Sequence, residues 1–204
     1  MLNDSPILVV DLEATCWESQ CEPSGDPQSI QNMEIIEFGC ALATRRGELL
    51  DSRSFLVRPN RNPILSEFCT GLTGITQAMV DEAPTYAEAI QEMNSWLCQP
   101  AADFTWCSWG NYDRLHVEAQ SEQLDVSPTV LGYPHLNLKR IWRRTTGQKK
   151  KNGLANALAF HGLAFEGAHH RGVDDAKNIV RLLPYMNWSL EGVLLTQPNL
   201  NIPR

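Results

Sequence analysis

Two carboxylates one residue apart, Asp11 and Glu13, close the apolar run Ile7-Leu8-Val9-Val10. Four consecutive aliphatic residues, three of them β-branched, predict a fully buried strand at the centre of a sheet. Side chains alternate across a strand, so Asp11 and Glu13 project from the same face. Their bare burial is costly, because each repels the other and both lose water. A divalent cation such as magnesium or manganese resolves the conflict, since hard oxygen ligands at close quarters suit these ions. The other reading of this stretch is a strand running out into a polar loop, and the stretch by itself leaves both open.

Further acids follow downstream. Asp113 ends Trp109-Gly110-Asn111-Tyr112-Asp113, where an acid at a helix start also suits the helix dipole. The segment His169-His170-Arg171-Gly172-Val173-Asp174-Asp175 offers metal ligands or a plain polar loop. His169 to Asp174 and His170 to Asp175 are both five apart, so spacing does not choose between them. Helical geometry does. From Asp175, the positions four, seven and eight residues on are Ile179, Leu182 and Leu183, an apolar stripe that must face the sheet. From Asp174, the positions three, four and seven on are Lys177, Asn178 and Arg181, a polar face expected toward solvent. Asp175 is therefore expected to meet Asp11 and Glu13, with His170 as its partner. Asp174 is expected to cap free amides at the helix start.

The elements that must position these residues are legible in outline. A second strand is predicted over residues 34–43, a turn at 45–48 and a third strand over 49–57, together an antiparallel meander. The polar stretch 18–32, with Pro23, Gly25 and Pro27, predicts a loop. One helical turn at 65–69 then leads into a Gly/Thr-rich loop over 70–76. A helix over 85–97 carries Ala89, Ile90, Met93, Trp96 and Leu97 at helical spacing, and Thr85 with Glu88 fits a capping box. A short buried strand at 104–109 and a helix at 113–123 follow. Helices at 138–145, 154–163 and 174–183 complete the pattern, with a loop at 168–173 and no clear pattern in 189–204. The order points to an α/β sheet with an antiparallel edge. Without an internal repeat or linker, residues 1–204 read as one domain, with a core of about 7–183 and a C-terminal tail at 184–204.

Composition narrows the partners. Hydrophobic residues make up 43% and charged residues 20%, as in an ordinary globular chain. A formal net charge of −7 argues against indiscriminate polyanion binding, so a nucleic-acid partner needs bound metal or a local basic patch. The densest patch is Gly147-Gln148-Lys149-Lys150-Lys151, a solvated loop by itself and a phosphate rail beside a nucleic-acid site. Six cysteines show neither a C-x-x-C pair nor zinc spacing, and they read as buried free thiols of a reducing compartment. The N-terminus has no basic segment before an apolar stretch, and no apolar run reaches membrane length. A cytoplasmic location and no membrane partner are expected. His116, His135, His161 and His169 are assigned to packing or surface.

Together, the Asp-x-Glu on the first strand, a mid-chain Asp after a short strand and His-x-x-x-x-Asp before the last helix resemble the DEDD superfamily of 3′→5′ exonucleases. The histidine five residues ahead of the final Asp is similar to that of the DEDDh branch. Within it, Asp11-Leu12-Glu13-Ala14-Thr15-Cys16-Trp17, Glu34-Ile35-Ile36-Glu37-Phe38, Leu72-Thr73-Gly74-Ile75 and His170-Arg171-Gly172-Val173-Asp174-Asp175-Ala176-Lys177-Asn178 resemble one subgroup in particular. That subgroup trims histone-mRNA ends, small interfering RNAs and ribosomal RNA. Order and spacing match over residues 7–183. The separate RNA-binding module of some members is not expected here.

The resemblance implies a ribonuclease H-like fold, a mixed β-sheet (antiparallel meander plus parallel strands) flanked by helices. It also implies two magnesium ions, with manganese able to substitute. Phosphodiester hydrolysis needs an activated water, neutralised phosphate charge and a stabilised leaving oxygen, and two metals ~4 Å apart serve both oxygens. On this resemblance Asp11 bridges the ions, Glu13 and Asp175 hold the nucleophile-side ion, and Asp113 supports the other. His170 is the general base, because an imidazole, with an ordinary pKa near ~6.5, accepts the water's proton at neutral pH. Gly172 is expected to lend the loop conformational freedom. Ala14, Thr15, Leu72, Thr73 and Ile75 correspond to the family's terminal-nucleotide pocket, although Leu72-Thr73-Gly74-Ile75 could equally plug the sheet edge. Trp109 and Tyr112 flank Asp113 and either stack on a base or belong to the core. Lys149, Lys150 and Lys151 would contact phosphates. The expected activity is metal-dependent 3′→5′ exoribonuclease cleavage releasing 5′-mononucleotides from RNA 3′ ends. Its rivals are an exodeoxyribonuclease of the same fold and a catalytically silent RNA-binding module, and the latter has no need of all five residues Asp11, Glu13, Asp113, His170 and Asp175.

Overall fold

A computed structural model describes residues 5–22, 24–97, 105–149 and 152–196. Strand β1 (Ile7–Ala14) forms over the predicted apolar run, with Ile7, Leu8, Val9 and Val10 fully buried. It pairs antiparallel with β2 (Ile35–Ala43), which pairs antiparallel with β3 (Leu49–Leu56). The β2–β3 turn closes through Gly47 at φ +83°, a left-handed conformation that glycine adopts without steric cost. Helices α1 (Glu67–Thr73), α2 (Gln77–Asp81) and α3 (Tyr86–Trp96) follow, then β4 (Trp106–Ser108), α4 (Tyr112–Leu124) and β5 (His135–Asn137). Helices α5 (Leu138–Thr146), α6 (Leu154–Phe160), α7 (Gly172–Val180) and α8 (Glu191–Leu194) lead to β6 (Leu195–Thr196). The sheet order is β3-β2-β1-β4-β5-β6, with β4 and β5 parallel to β1 and β6 antiparallel. An antiparallel meander plus parallel strands, flanked by helices, is what the pattern predicts, and β1 lies inside the sheet.

Both faces of β1 are covered, and its alternation assigns residues to each. Ile7 and Val9 pack with Ala41 and Ala43 of β2 against α5, α6 and α7 through Ile141, Trp142, Leu158, Ala176 and Ile179. Leu8, Val10 and Leu12 pack with Phe38 and Cys40 against α3 and α4 through Ala89, Ile90, Met93 and Val117. Glu88 completes the predicted capping box with Thr85. Cys16, Cys21, Cys40, Cys69 and Cys107 are buried and free, while Cys98 lies outside the described residues.

Several expectations are corrected. Residues 70–73 are the second half of α1 and not a loop. Ser66 caps that helix, its Oγ accepting from Cys69 N at 2.9 Å, and Gly74 ends it at φ +69°. Helix α2, strand β5 and strand β6 went unpredicted, because five, three and two residues are too few to show a period. Helix α7 begins at Gly172, earlier than expected, and Asn178 on its supposed solvent face is fully buried. Its amide donates to the carbonyls of Glu166 at 2.7 Å and Asp174 at 2.8 Å. The strand expected at 104–109 is Trp106–Ser108, with Phe104 outside the described residues. Part of the unpatterned tail, residues 191–196, forms α8 and β6, and residues 197–204 lie outside the described residues.

Candidate active site

Asp11 and Glu13 continue on β1 the parity of Ile7 and Val9, so they face the layer that contains α7. Helix α7 crosses this strand at contact distance. A Cβ on Gly172 would lie 2.8 Å from the Asp11 carbonyl oxygen, and one on Gly39 would lie 1.8 Å from the Gly172 carbonyl carbon. Gly172 is therefore required for close approach and not for the conformational freedom expected of it, and its φ lies outside the left-handed region. The residue that does occupy that region is His170, at φ +59°. Such conformations are uncommon for non-glycine residues and concentrate at functional sites.

With α7 held this close, ligand oxygens of Asp11, Glu13 and Asp175 all lie within 4.8 Å of one another. Asp175 Oδ2 is buried without a hydrogen-bond partner. A buried carboxylate oxygen that lacks a donor calls for a counter-charge. Asp113, buried in the first turn of α4, accepts the Leu12 amide at 3.2 Å. Electrostatics make the same point. Burial, then Asp113, Asp175, Glu13 and Glu37, raise the Asp11 carboxyl well above its ordinary value. Glu13 is pushed up to about 8 by burial and next by Glu37 and Asp175. Burial also raises Asp113 and Asp175, opposed by the Ser108 hydroxyl in the first case and His170 in the second. Four carboxyls driven together toward protonation fit a divalent cation, which would hold them ionised.

His170 is exposed on the approach to α7, and its neighbour His169 stacks on Phe165 with ring centroids 3.6 Å apart. Asp174 does not cap α7. Its Oδ2 accepts from Ala168 N at 3.1 Å and its Oδ1 from Lys177 Nζ at 3.0 Å, so it ties down the loop before His169. Burial alone would raise this carboxyl, but the Ala168 amide and Lys177 hold it below its ordinary range.

The remaining candidates divide. Leu72 is exposed at the end of α1, and so is Phe68 one turn earlier, which sequence reading missed. Thr73 is buried, with Oγ1 donating to the Cys69 carbonyl at 2.9 Å, and Ile75 is fully buried beside Cys16, Ile36 and Val80. Ala14 and Thr15 are also buried, the Thr15 hydroxyl accepting from Glu34 N at 2.9 Å. Tyr112 is exposed, edge-on to His116. Trp109 is packed against Trp142 and donates from Nε1 to the Asn152 carbonyl, so it belongs to the core and is not a stacking platform. Lys149 is exposed, while Lys150 and Lys151 lie outside the described residues. His116 and His135 are packing residues, their pKa values lowered by burial to about 4 and about 3, and His161 stacks on Tyr185. Sequence reading also passed over Glu37, fully buried on the same parity of β2 as Ala41 and Ala43, although a lone acid on a sheet-core face was the signal.

A mixed sheet with clustered carboxylates on its central strand, a further one on α4 and a histidine before the last sheet-packed helix define a DEDDh-type exonuclease. The exonuclease family model of RNase T type matches residues 8–183, and the chain belongs to that family. The 3′-5′ exonuclease eri1 of Schizosaccharomyces pombe is 30% identical, over 88% of this chain and 67% of that protein. ERI1 exoribonuclease 2 of Mus musculus is 32% identical over 86% of this chain, which spans only 28% of its length. Among solved structures, the nuclease domain of 3′hExo, a DEDDh family member bound to rAMP, aligns with a TM-score of 0.80 and 26% identity, covering 96% of this chain and 98% of that one. The expected ribonuclease H-like fold and 3′→5′ exonuclease class are borne out, with nucleic acid as the substrate.

Proposed function

We propose that the chain is a metal-dependent 3′→5′ exoribonuclease releasing 5′-mononucleotides from RNA 3′ ends. The observation that carries this reading is the Asp11, Glu13 and Asp175 cluster, within 4.8 Å and with one buried oxygen lacking a donor. These three residues would hold the cation, with Asp113 as a fourth carboxylate. When bound, a pair of Mg2+ ions, or Mn2+ in their place, supplies phosphate neutralisation and acidification of the attacking water. His170 takes the water's proton on its exposed ring, and Asp175 stabilises the imidazolium that forms. Cys69 Sγ contacts the Ala14 carbonyl, which sets α1 at the end of β1. The exposed side chains of Phe68 and Leu72 on α1, with Tyr112 on α4, then offer apolar surface to the terminal nucleotide. Lys149, Lys150 and Lys151 guide the upstream phosphates. RNA is favoured over DNA by the rAMP held in the similar 3′hExo domain and by the exoribonuclease names of the relatives. Buried free thiols suit a reducing cytoplasm.

The test is incubation of 5′-end-labelled RNA and DNA oligomers with Mg2+, Mn2+ or chelator. RNA is expected to shorten stepwise from a free 3′-hydroxyl, releasing 5′-mononucleotides only when metal is present. Cleavage of circular RNA, or full turnover in excess chelator, overturns the reading.

A further inference from the structure

We propose that Glu37 is a positioning residue for this reaction, pinning to the sheet the end of the loop that carries His170, without itself meeting substrate. The proposal rests on His170 being the proton acceptor. Glu37 stands directly opposite Glu13 in the β1–β2 register and is fully buried. Both of its oxygens are engaged. Oε2 accepts the Gly172 amide at 3.0 Å, while Oε1 accepts the Ser54 hydroxyl at 2.5 Å and lies 3.8 Å from Arg171 Nε. Asp175 differs in this respect, because its Oδ2 has no donor. Glu37 is thus built as an anchor and not as a ligand.

What it anchors is the start of α7. Gly172 is the first residue of that helix, where amides lack intrahelical acceptors, and the N-cap residue Arg171 makes no side-chain cap. Glu37 supplies from β2 the acceptor that a capping side chain supplies elsewhere, and its charge suits the helix N-terminus. The Gly39–Gly172 contact brings the amide within reach. His170 therefore lies between two fixed points, the Ala168 amide held by Asp174 and the Gly172 amide held by Glu37. A left-handed histidine persists only where its surroundings determine it, and these two bonds do so. The charge is not free of cost, since Glu37 is the second cause, after burial, of the raised Glu13 carboxyl.

The test compares Glu37→Gln, His170→Ala and the double variant, each metal-loaded, on one RNA oligomer. Glu37→Gln is expected to lower kcat about 10- to 100-fold, the usual effect of removing a group that orients a reacting one, with KM nearly unchanged. In the His170→Ala background the same change should cost less than about threefold, because a residue acting through His170 has nothing left to position. The 15N–1H signal of Gly172 in the metal-free protein should move and lose exchange protection. A kcat within about twofold of the parent, or a full multiplicative loss in the double variant, overturns the proposal. Should His170→Ala alone keep parental turnover, the base assignment fails, and an unmoved Gly172 signal in Glu37→Gln then overturns the anchor separately. If Glu37→Gln does not fold, Ser54→Ala removes one donor to the same carboxylate. It must lower kcat at constant KM, and parental kcat there overturns the proposal.

Discussion

The backbone amide of Leu12 donates to Asp113 Oδ1 across 3.2 Å, although 101 residues separate them. Among the described residues strand β1 pairs with β4 only at Leu8 and Val9, so beyond Val9 that edge of β1 has no strand partner among them. Asp113 takes the place of one. Parallel strands that part at their carboxyl ends leave a crevice, which is where open α/β sheets bind ligands. The same bond fixes the α4 carboxylate relative to Asp11 and Glu13, so strand and helix hold the acidic cluster as a unit.

The pH dependence of stability follows from Glu13. Its carboxyl is raised from 4.5 to about 8, so the folded state binds this proton more tightly than the unfolded chain does. The resulting stabilisation is complete below about 4.5 and disappears as pH rises through about 8. Asp11, Asp113 and Asp175 are raised as well and act in the same direction. The metal-free protein should therefore melt at lower temperature at pH 8 than at pH 5, with a shallower trend in Glu13→Gln. A divalent cation held by the cluster would displace these protons, so the stabilising effect of added Mg2+ should grow with pH. Thermal melts with and without chelator check both trends, and a metal-free midpoint that rises with pH refutes the assignment.

Replacing His170 separates function from stability. His170→Ala should lower kcat about 10²–10⁴-fold while the Mg2+-induced rise in melting temperature survives. His170→Gly should be equally inactive yet more stable than the alanine variant by about 1 kcal/mol, because glycine relieves the positive φ. Urea unfolding of the two variants measures the difference.

The two adjacent acids of α7 should behave differently. Asp175→Asn should abolish cleavage and weaken metal binding with the fold intact, since Asp175 belongs to the acidic cluster. Asp174→Asn should cost about 1.5–3 kcal/mol of stability, the net value of a hydrogen bond to a charged group, and less than a tenfold loss in kcat. Calorimetric Mg2+ titration and single-turnover assays distinguish them, and the reverse pattern would exchange their roles.

Changing Lys149, Lys150 and Lys151 to Gln should weaken single-stranded RNA binding. The slope of log affinity against log salt should flatten by up to about 2, as three phosphate contacts release fewer counterions. An unchanged slope returns the run to a solvated loop. Binding is measured with chelator present, so that cleavage does not intervene.

The sequence by itself determined whatever depends on neighbours along the chain. The period of two on β1 set Asp11 beside Glu13, and the apolar Ile179 on α7, with Leu182 and Leu183 buried just beyond its end, pointed to Asp175; Thr85 with Glu88 marked the start of α3. Tertiary structure decided the rest. Trp109 beside a turn can face solvent or core with the same local pattern, and only the position of Trp142 on α5 turns it inward. Gly71 and Thr73, on either side of Leu72, are poor helix formers, and α1 extends through them because Ser66 caps it and Cys69 buries against β1. The bond from the Gly172 amide to Glu37 joins residues 135 apart, and β5 finds β6 across the fold with two paired residues. Such contacts leave no periodic trace, because burial and hydrogen bonding at a site depend on whichever distant segment the closed chain brings there.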